Sequence, residues 1–238
     1  YANVDEVLKA VTHKRKWLMR LTIASVLTLS FALGFFTFSK TDTYRFAQLE
    51  LKWWFRQPAY DISYDEIYYR ILSEDSLTCM AVGGRELRDL YIHEEVPHNG
   101  KTYKTVAIES EAYAGWSVQS VYIPDGVREI GDMAFNRCHE VVSLDIPQSV
   151  ERIGKKCFDD MKSIRSLSLP ENLKKISHNA FTSCRGLRRI VIPEGVEVLD
   201  LDCFAHCSSL ETATLPSTLT TINRGVFWNC TMLKDISI

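Results

Sequence analysis

A chain of 238 residues has room for one domain with additions, and 28 basic against 30 acidic side chains leave a formal charge of −2. So even a balance gives no sign of nucleic acid or an acidic substrate as a bulk partner. Seven cysteines cannot all pair internally, and none stands in a C-x-x-C motif.

Residues 1–16 read as a short N-terminal segment rich in lysine and arginine. From Trp17 to Phe38 the chain runs WLMRLTIASVLTLSFALGFFTF, with Arg20 as its only charge. At about 1.5 Å per residue this helix spans about 33 Å, close to the hydrocarbon thickness of a bilayer. The uncharged run from Leu21 exceeds the roughly 7–15 apolar residues of a signal peptide, and it closes on Phe35-Phe36-Thr37-Phe38 without a small-residue cleavage site. A retained transmembrane helix over 17–39 is the expectation. Lys9, Lys14, Arg15, Lys16 and Arg20 precede or open it, while only Lys40 and Arg45 follow closely. The positive-inside rule then puts residues 1–16 in the cytoplasm and everything after the helix outside, in the periplasm of a Gram-negative cell. Ala24, Thr28 and Ala32 lie four apart, as do Ser30 and Gly34. Small residues so spaced form a candidate helix-packing stripe, with a lipid-facing helix as the alternative.

Residues 40–60 form an aromatic juxtamembrane linker. Trp53, Trp54 and Phe55 stand just before Pro58, and such side chains suit either a membrane interface or a protein partner. The stretch alternates like a strand and also carries a helical stripe, so its secondary structure stays open. Residues 61–104 read as a β-rich cap: short strands broken at Ser73–Ser76, at Gly83-Gly84 and at Asn99-Gly100, the last suited to a type I′ hairpin.

From residue 105 the chain repeats. Ile123-Pro124 returns as Ile146-Pro147, Leu169-Pro170, Ile192-Pro193 and Leu215-Pro216, at intervals of 23 residues. Tyr113, Phe135, Phe158, Phe181, Phe204 and Phe227 keep the same period with one 22-residue step, and Ile108, Ile130, Ile153, Ile176, Leu199 and Ile222 run five residues ahead of them. Such periodicity predicts a solenoid of six repeats over 105–238. In VVSLDIP, Val141, Leu144 and Ile146 should face inward and Ser143 and Asp145 outward, with proline ending the strand because it cannot donate to the ladder. Ala134 and Phe135 should plug the coil where it turns back. The fold expected is a mostly β, parallel-sheet solenoid of the α/β repeat type behind a single transmembrane helix. No cap follows Ile238, so further repeats, a missing cap or a partner are expected there.

The segment Ile123 to Leu144, IPDGVREIGDMAFNRCHEVVSL, resembles the BspA-like (Treponema-type) leucine-rich repeat almost column for column. DEIYYRILSEDSL with NGKTYKTVAI after it looks like the hairpin region that opens many such domains. Members of that family are mostly surface or secreted proteins that bind other proteins, several of them adhesins, so the resemblance implies a binding role. The chain departs from it at Met161 and Trp116, where the family has cysteine, at Cys157 and Cys203, where it has alanine, and in its long membrane anchor.

Cys138, Cys184, Cys207 and Cys230 each follow the repeat aromatic by three residues, which predicts an inward ladder of buried thiols, with Cys203 and Cys207 as the pair if any bridge forms. A ladder spreads ligands along the axis, so no metal centre is expected. His93-Glu94-Glu95-Val96-Pro97-His98 has its histidines five apart with Pro97 between, which disqualifies it as a zinc-protease helix and leaves a surface turn. Asn229-Cys230-Thr231 is a glycosylation sequon whose middle residue belongs to the ladder. No nucleophile elbow, phosphate loop or dinucleotide fingerprint occurs, and no cofactor is expected.

The reading is a non-enzymatic protein-interaction module, an accessory or scaffolding subunit of a membrane complex. It would meet other membrane proteins through the anchor, Trp53, Trp54 and Phe55. A cell-surface adhesin or ligand receptor is the alternative. A protein ligand on the sheet face would meet mostly small hydroxylated side chains, with Tyr122 and Arg189 as its two hot-spot types.

Overall fold

The computed structural model describes residues 60–238. The expected anchor at 17–39, with Ala24, Thr28, Ala32, Ser30 and Gly34, lies outside the described residues, as does the linker up to residue 59. Among the described residues no helix is long and apolar enough to cross a membrane.

The chain enters on a hairpin ribbon. Strands β1 (Ile62–Tyr64), β2 (Ile67–Ser73) and β3 (Thr78–Gly84) pair antiparallel in succession. Strand β4 (Asp89–Tyr91) follows, then β5 (Glu95–His98) and β6 (Lys101–Ile108), which form a second hairpin. Asn99 and Gly100 between them both take positive φ, 49° and 73°, as a type I′ turn demands. The stretch from His93 to His98 is therefore largely strand, not the free surface turn its sequence implied. Pro97 is tolerated because β5 is an edge strand that needs no donor there.

Strand β6 is the junction between cap and coil, pairing in parallel with β3 on one side and β8 (Glu129–Ile130) on the other. From there the coil has two strand columns. One continues through β10 (Arg152–Ile153), β12 (Lys175–Ile176), β14 (Val198–Leu199) and β16 (Thr221–Ile222). The other holds β7 (Ser120–Tyr122), β9 (Ser143–Asp145), β11 (Ser166–Ser168), β13 (Arg189–Val191), β15 (Thr212–Thr214) and β17 (Asp235–Ser237). Partners within each column are parallel and one period apart: Ser143 faces Ser166, and Thr212 faces Asp235. Strand β4 pairs in parallel with β7 and so adds a seventh turn ahead of the six repeats.

The repeat motif folds as its chemistry dictates. Strands β7, β9, β11, β13 and β15 of the second column run out at proline, whose carbonyl then closes a turn: Val150 N–H donates to Pro147 O at 3.0 Å and Val196 N–H to Pro193 O at 3.0 Å. After each short return strand the chain wraps around an aromatic side chain. Phe135, Phe158, Phe181 and Phe204 are wholly buried and stack at centroid separations of 5.6, 5.3 and 5.4 Å, with Tyr113 above and Phe227 below. The backbone ladder runs through these bends too, since Phe135 N–H donates to Cys157 O and Phe181 N–H to Cys203 O, both at 2.9 Å. Adjacent turns come so close that a Cβ on Gly154 would lie 2.5 Å from Asp132 N, which is why glycine stands there.

The thiols form the expected inward ladder. Cys138 donates to Tyr113 O at 3.3 Å, Cys184 to Phe158 O at 3.4 Å, Cys207 to Phe181 O at 3.3 Å and Cys230 to Phe204 O at 3.2 Å. Each therefore caps the carbonyl of the aromatic one turn before it. All seven cysteines carry free thiols, Cys203 and Cys207 included.

Candidate functional site

The outward side of the β4–β17 column is a continuous exposed face. Its inward residues Leu144, Ile190 and Ala213 are buried, while Ser143, Asp145, Ser166, Ser168, Arg189 and Val191 are exposed. Most of these are small or hydroxylated, and a bare row of that kind offers a partner little area to bury. The row is not uniform, however.

At its N-terminal end Tyr122 lies flat against Tyr91, with ring centroids 4.4 Å apart and planes within 5°. The two residues face each other in the parallel register of β4 and β7, so strand spacing itself brings the rings into contact. Both stay open to solvent, at 52% and 44% exposure. His93 meets Tyr91 edge-on at 5.1 Å and Tyr64 at 4.8 Å, while its Nε2 sits 3.1 Å from the Asp65 carboxylate. From behind, Tyr69 anchors the group: it is wholly buried, and its hydroxyl accepts the His93 N–H at 3.1 Å. Packing pushes the Tyr122 hydroxyl above its ordinary pKa, and Tyr91 beside it, Asp125 and Glu94 push the same way. A groove lies alongside, lined by Val121, Tyr122, Ile123, Asp125, Asp145 and Ile146 with Pro147 and Gln148.

An array of exposed aromatic rings, with the His93 backbone tied to a buried tyrosine and a groove alongside, is the geometry of a binding surface. Among the described residues no group of three histidine, cysteine or acidic side chains converges as metal ligands would.

Of the residues singled out from sequence, Tyr122 belongs to this cluster and Arg189 stands on β13 of the same face. Trp53, Trp54 and Phe55 lie outside the described residues. Tyr91, His93 and Tyr64 were missed because they precede the periodic region. A signal existed: Leu90-Tyr91-Ile92 is echoed by Val121-Tyr122-Ile123, but at a spacing of 31 residues. The β5–β6 hairpin inserted in that turn stretches the interval.

The sequence over residues 106–234 matches the model of the BspA type leucine rich repeat region, in six copies. The chain belongs to that family. Among solved structures, it is similar to a leucine-rich repeat protein from Bacteroides ovatus ATCC 8483, at 30% identity and a TM-score of 0.64 over 75% of this chain. That match takes in 53% of the Bacteroides protein, so the chain spans about half of its relative's length. The T. pallidum leucine rich repeat protein shares the fold at a TM-score of 0.65 and 21% identity, over 76% of this chain and 81% of that one. No curated protein matches the chain. Membership identifies the solenoid as a protein-interaction module, and no catalytic family is indicated.

Proposed function

We propose that this leucine-rich repeat module is tethered to a membrane by the Trp17–Phe38 segment and takes a protein ligand on its sheet face, as a surface receptor or adhesin does. The observation that supports it is the exposed Tyr91–Tyr122 stack at the head of an otherwise sparse face. Tyrosine in such a position offers large area at low entropic cost. A second reading, an accessory subunit of a membrane complex, is favoured by Trp53, Trp54 and Phe55 and by the Ala24/Thr28/Ala32 stripe.

Site-specific photo-crosslinking in intact cells separates the two. A crosslinker replacing Tyr122 should capture a partner protein, while one at Lys155, on the return side of the coil, should not. Capture from positions 28 and 54 with none from 122 would reject the face and establish the accessory subunit instead. In that case a triple Trp53→Ala, Trp54→Ala, Phe55→Ala change should release the chain from its complex in mild detergent.

A further inference from the structure

Charge is unevenly spread along the sheet face: Arg88, exposed just before β4, donates to Gln119 Oε1 at 2.8 Å, and the acidic residues near it outnumber it. Around the tyrosine stack stand Asp89 on β4, Glu94 just after it, and Asp125 and Asp145 in the groove. None of these four forms an ion pair among the described residues. Three strands further along, Arg189 points outward from β13, with Arg188 immediately before it and Arg185 in the preceding bend, and Arg165 enters β11 on the turn before. All four arginines are exposed, and their side chains have neither an ion pair nor a hydrogen bond among the described residues; Glu211, one turn on, donates its N–H to Arg188 O at 2.8 Å, but its carboxylate pairs with none of them. The return side of the coil behaves differently. There Arg152 pairs with Glu129 at 3.5 Å and Lys175 with Asp200 at 2.8 Å.

Two unpaired fields of opposite sign on one face are what a partner with the reverse pattern would complement, and such patterns set specificity and orientation. The acidic field also surrounds two exposed aromatic rings, and a cation over tyrosine gains from the ring quadrupole as well as from the carboxylates. Guanidinium planes suit this surface best, because they stack as well as pair. The basic field presents several forked donors, which match a carboxylate. From β7 to β13 is three strand spacings, about 14 Å, which an extended chain covers in about four residues. The strands between carry Ser143, Ser166 and Ser168 outward, hydroxyls able to exchange hydrogen bonds with a backbone laid across them.

We propose that the face recognises an extended segment of a partner protein with an arginine or lysine on the Tyr91–Tyr122 stack and an acidic residue, about four positions away, over Arg188 and Arg189. This rests on the reading of the sheet face as the ligand site, and adds to it the chemistry of the ligand.

The test uses the full chain in detergent micelles and fluorescent peptides of Ser, Thr and Gly that hold one arginine and one glutamate about four residues apart. Replacing either charged residue by alanine should weaken binding about tenfold at low salt, and added sodium chloride should erase the difference. The double variant Arg188→Glu with Arg189→Glu should reverse the preference, favouring the peptide with lysine in place of glutamate by about tenfold. A misfolded protein could not gain that preference. Equal affinity for all peptides would overturn the proposal. So would self-association lost on Arg189→Glu, which would make a second copy of the chain the occupant. The crosslink from position 122 keeps the two readings apart: if it persists while the peptides are not told apart, the charge rule fails and the face stands. If it is absent, both fall.

Discussion

Tyr113 heads a column whose other five members are phenylalanine. Its ring stacks on Phe135 at 5.4 Å and meets Trp116 edge-on, yet its hydroxyl is buried without a hydrogen-bond partner among the described residues. A polar group stranded in this way costs about 1–3 kcal/mol. Tyr113→Phe should therefore stabilise the fold by about 1 kcal/mol, read as a rise of about 2–4 °C in melting temperature. A lower melting temperature would show that the hydroxyl is satisfied. Further down the same column Phe181 is clamped by stacked rings on both sides. Emptying that site with Phe181→Ala should cost about 3–5 kcal/mol, whereas Ser168→Ala on the exposed face should change stability by less than about 0.5 kcal/mol. Similar denaturation midpoints for those two variants would contradict the inward and outward assignment.

At the scale of the repeating element, closure of the coil depends on backbone that the residue types do not announce. Two positions in each turn, one on either side of the aromatic, take positive φ: Met133 at 57° and Arg137 at 62°, Lys156 at 53° and Asp160 at 61°, Asn179 at 56° and Ser183 at 59°. Asparagine and aspartate accept this conformation readily, but methionine and lysine do not. They are held there by the packing of neighbouring turns. The thiol ladder beside these bends has a consequence in alkali. Burial pushes Cys138 up to about 12, whereas a thiol in the unfolded chain ionises near 8.5. A group whose pKa is raised on folding contributes stability that is complete below about pH 8.5 and is lost as pH climbs toward about 12. The urea midpoint of the native chain should therefore fall more steeply above about pH 9 than that of Cys138→Ala. Parallel declines would mean that this thiol is not desolvated.

For the whole molecule, stability is shared between adjacent turns, and the first turn is protected by the β1–β3 ribbon joined through β6. The membrane tether proposed from Trp17–Phe38 makes a separate prediction about orientation. Residues 40–238 should resist protease in intact Gram-negative cells and be digested once the outer membrane is opened. A repeat domain reached only after the inner membrane is breached would reverse the argument drawn from Lys14, Arg15 and Lys16.

Much of this architecture was legible in the residues alone, because a solenoid translates linear period into spatial register. Ile123-Pro124 and its recurrences placed the strand ends, the aromatic column placed the plugs, and alternation in VVSLDIP decided which side chains point in. Those are local rules of strand geometry and burial, and identical turns apply them repeatedly. The Asn99-Gly100 hairpin was legible for the same local reason. The pairing of Tyr91 with Tyr122 was not, since the inserted β5–β6 hairpin hides their common register behind a 31-residue gap. Nor could the sequence show that the acidic and arginine-rich parts of the face go unpaired. Whether a charge finds a partner depends on which side chains stacking brings within reach, and only the assembled coil decides that.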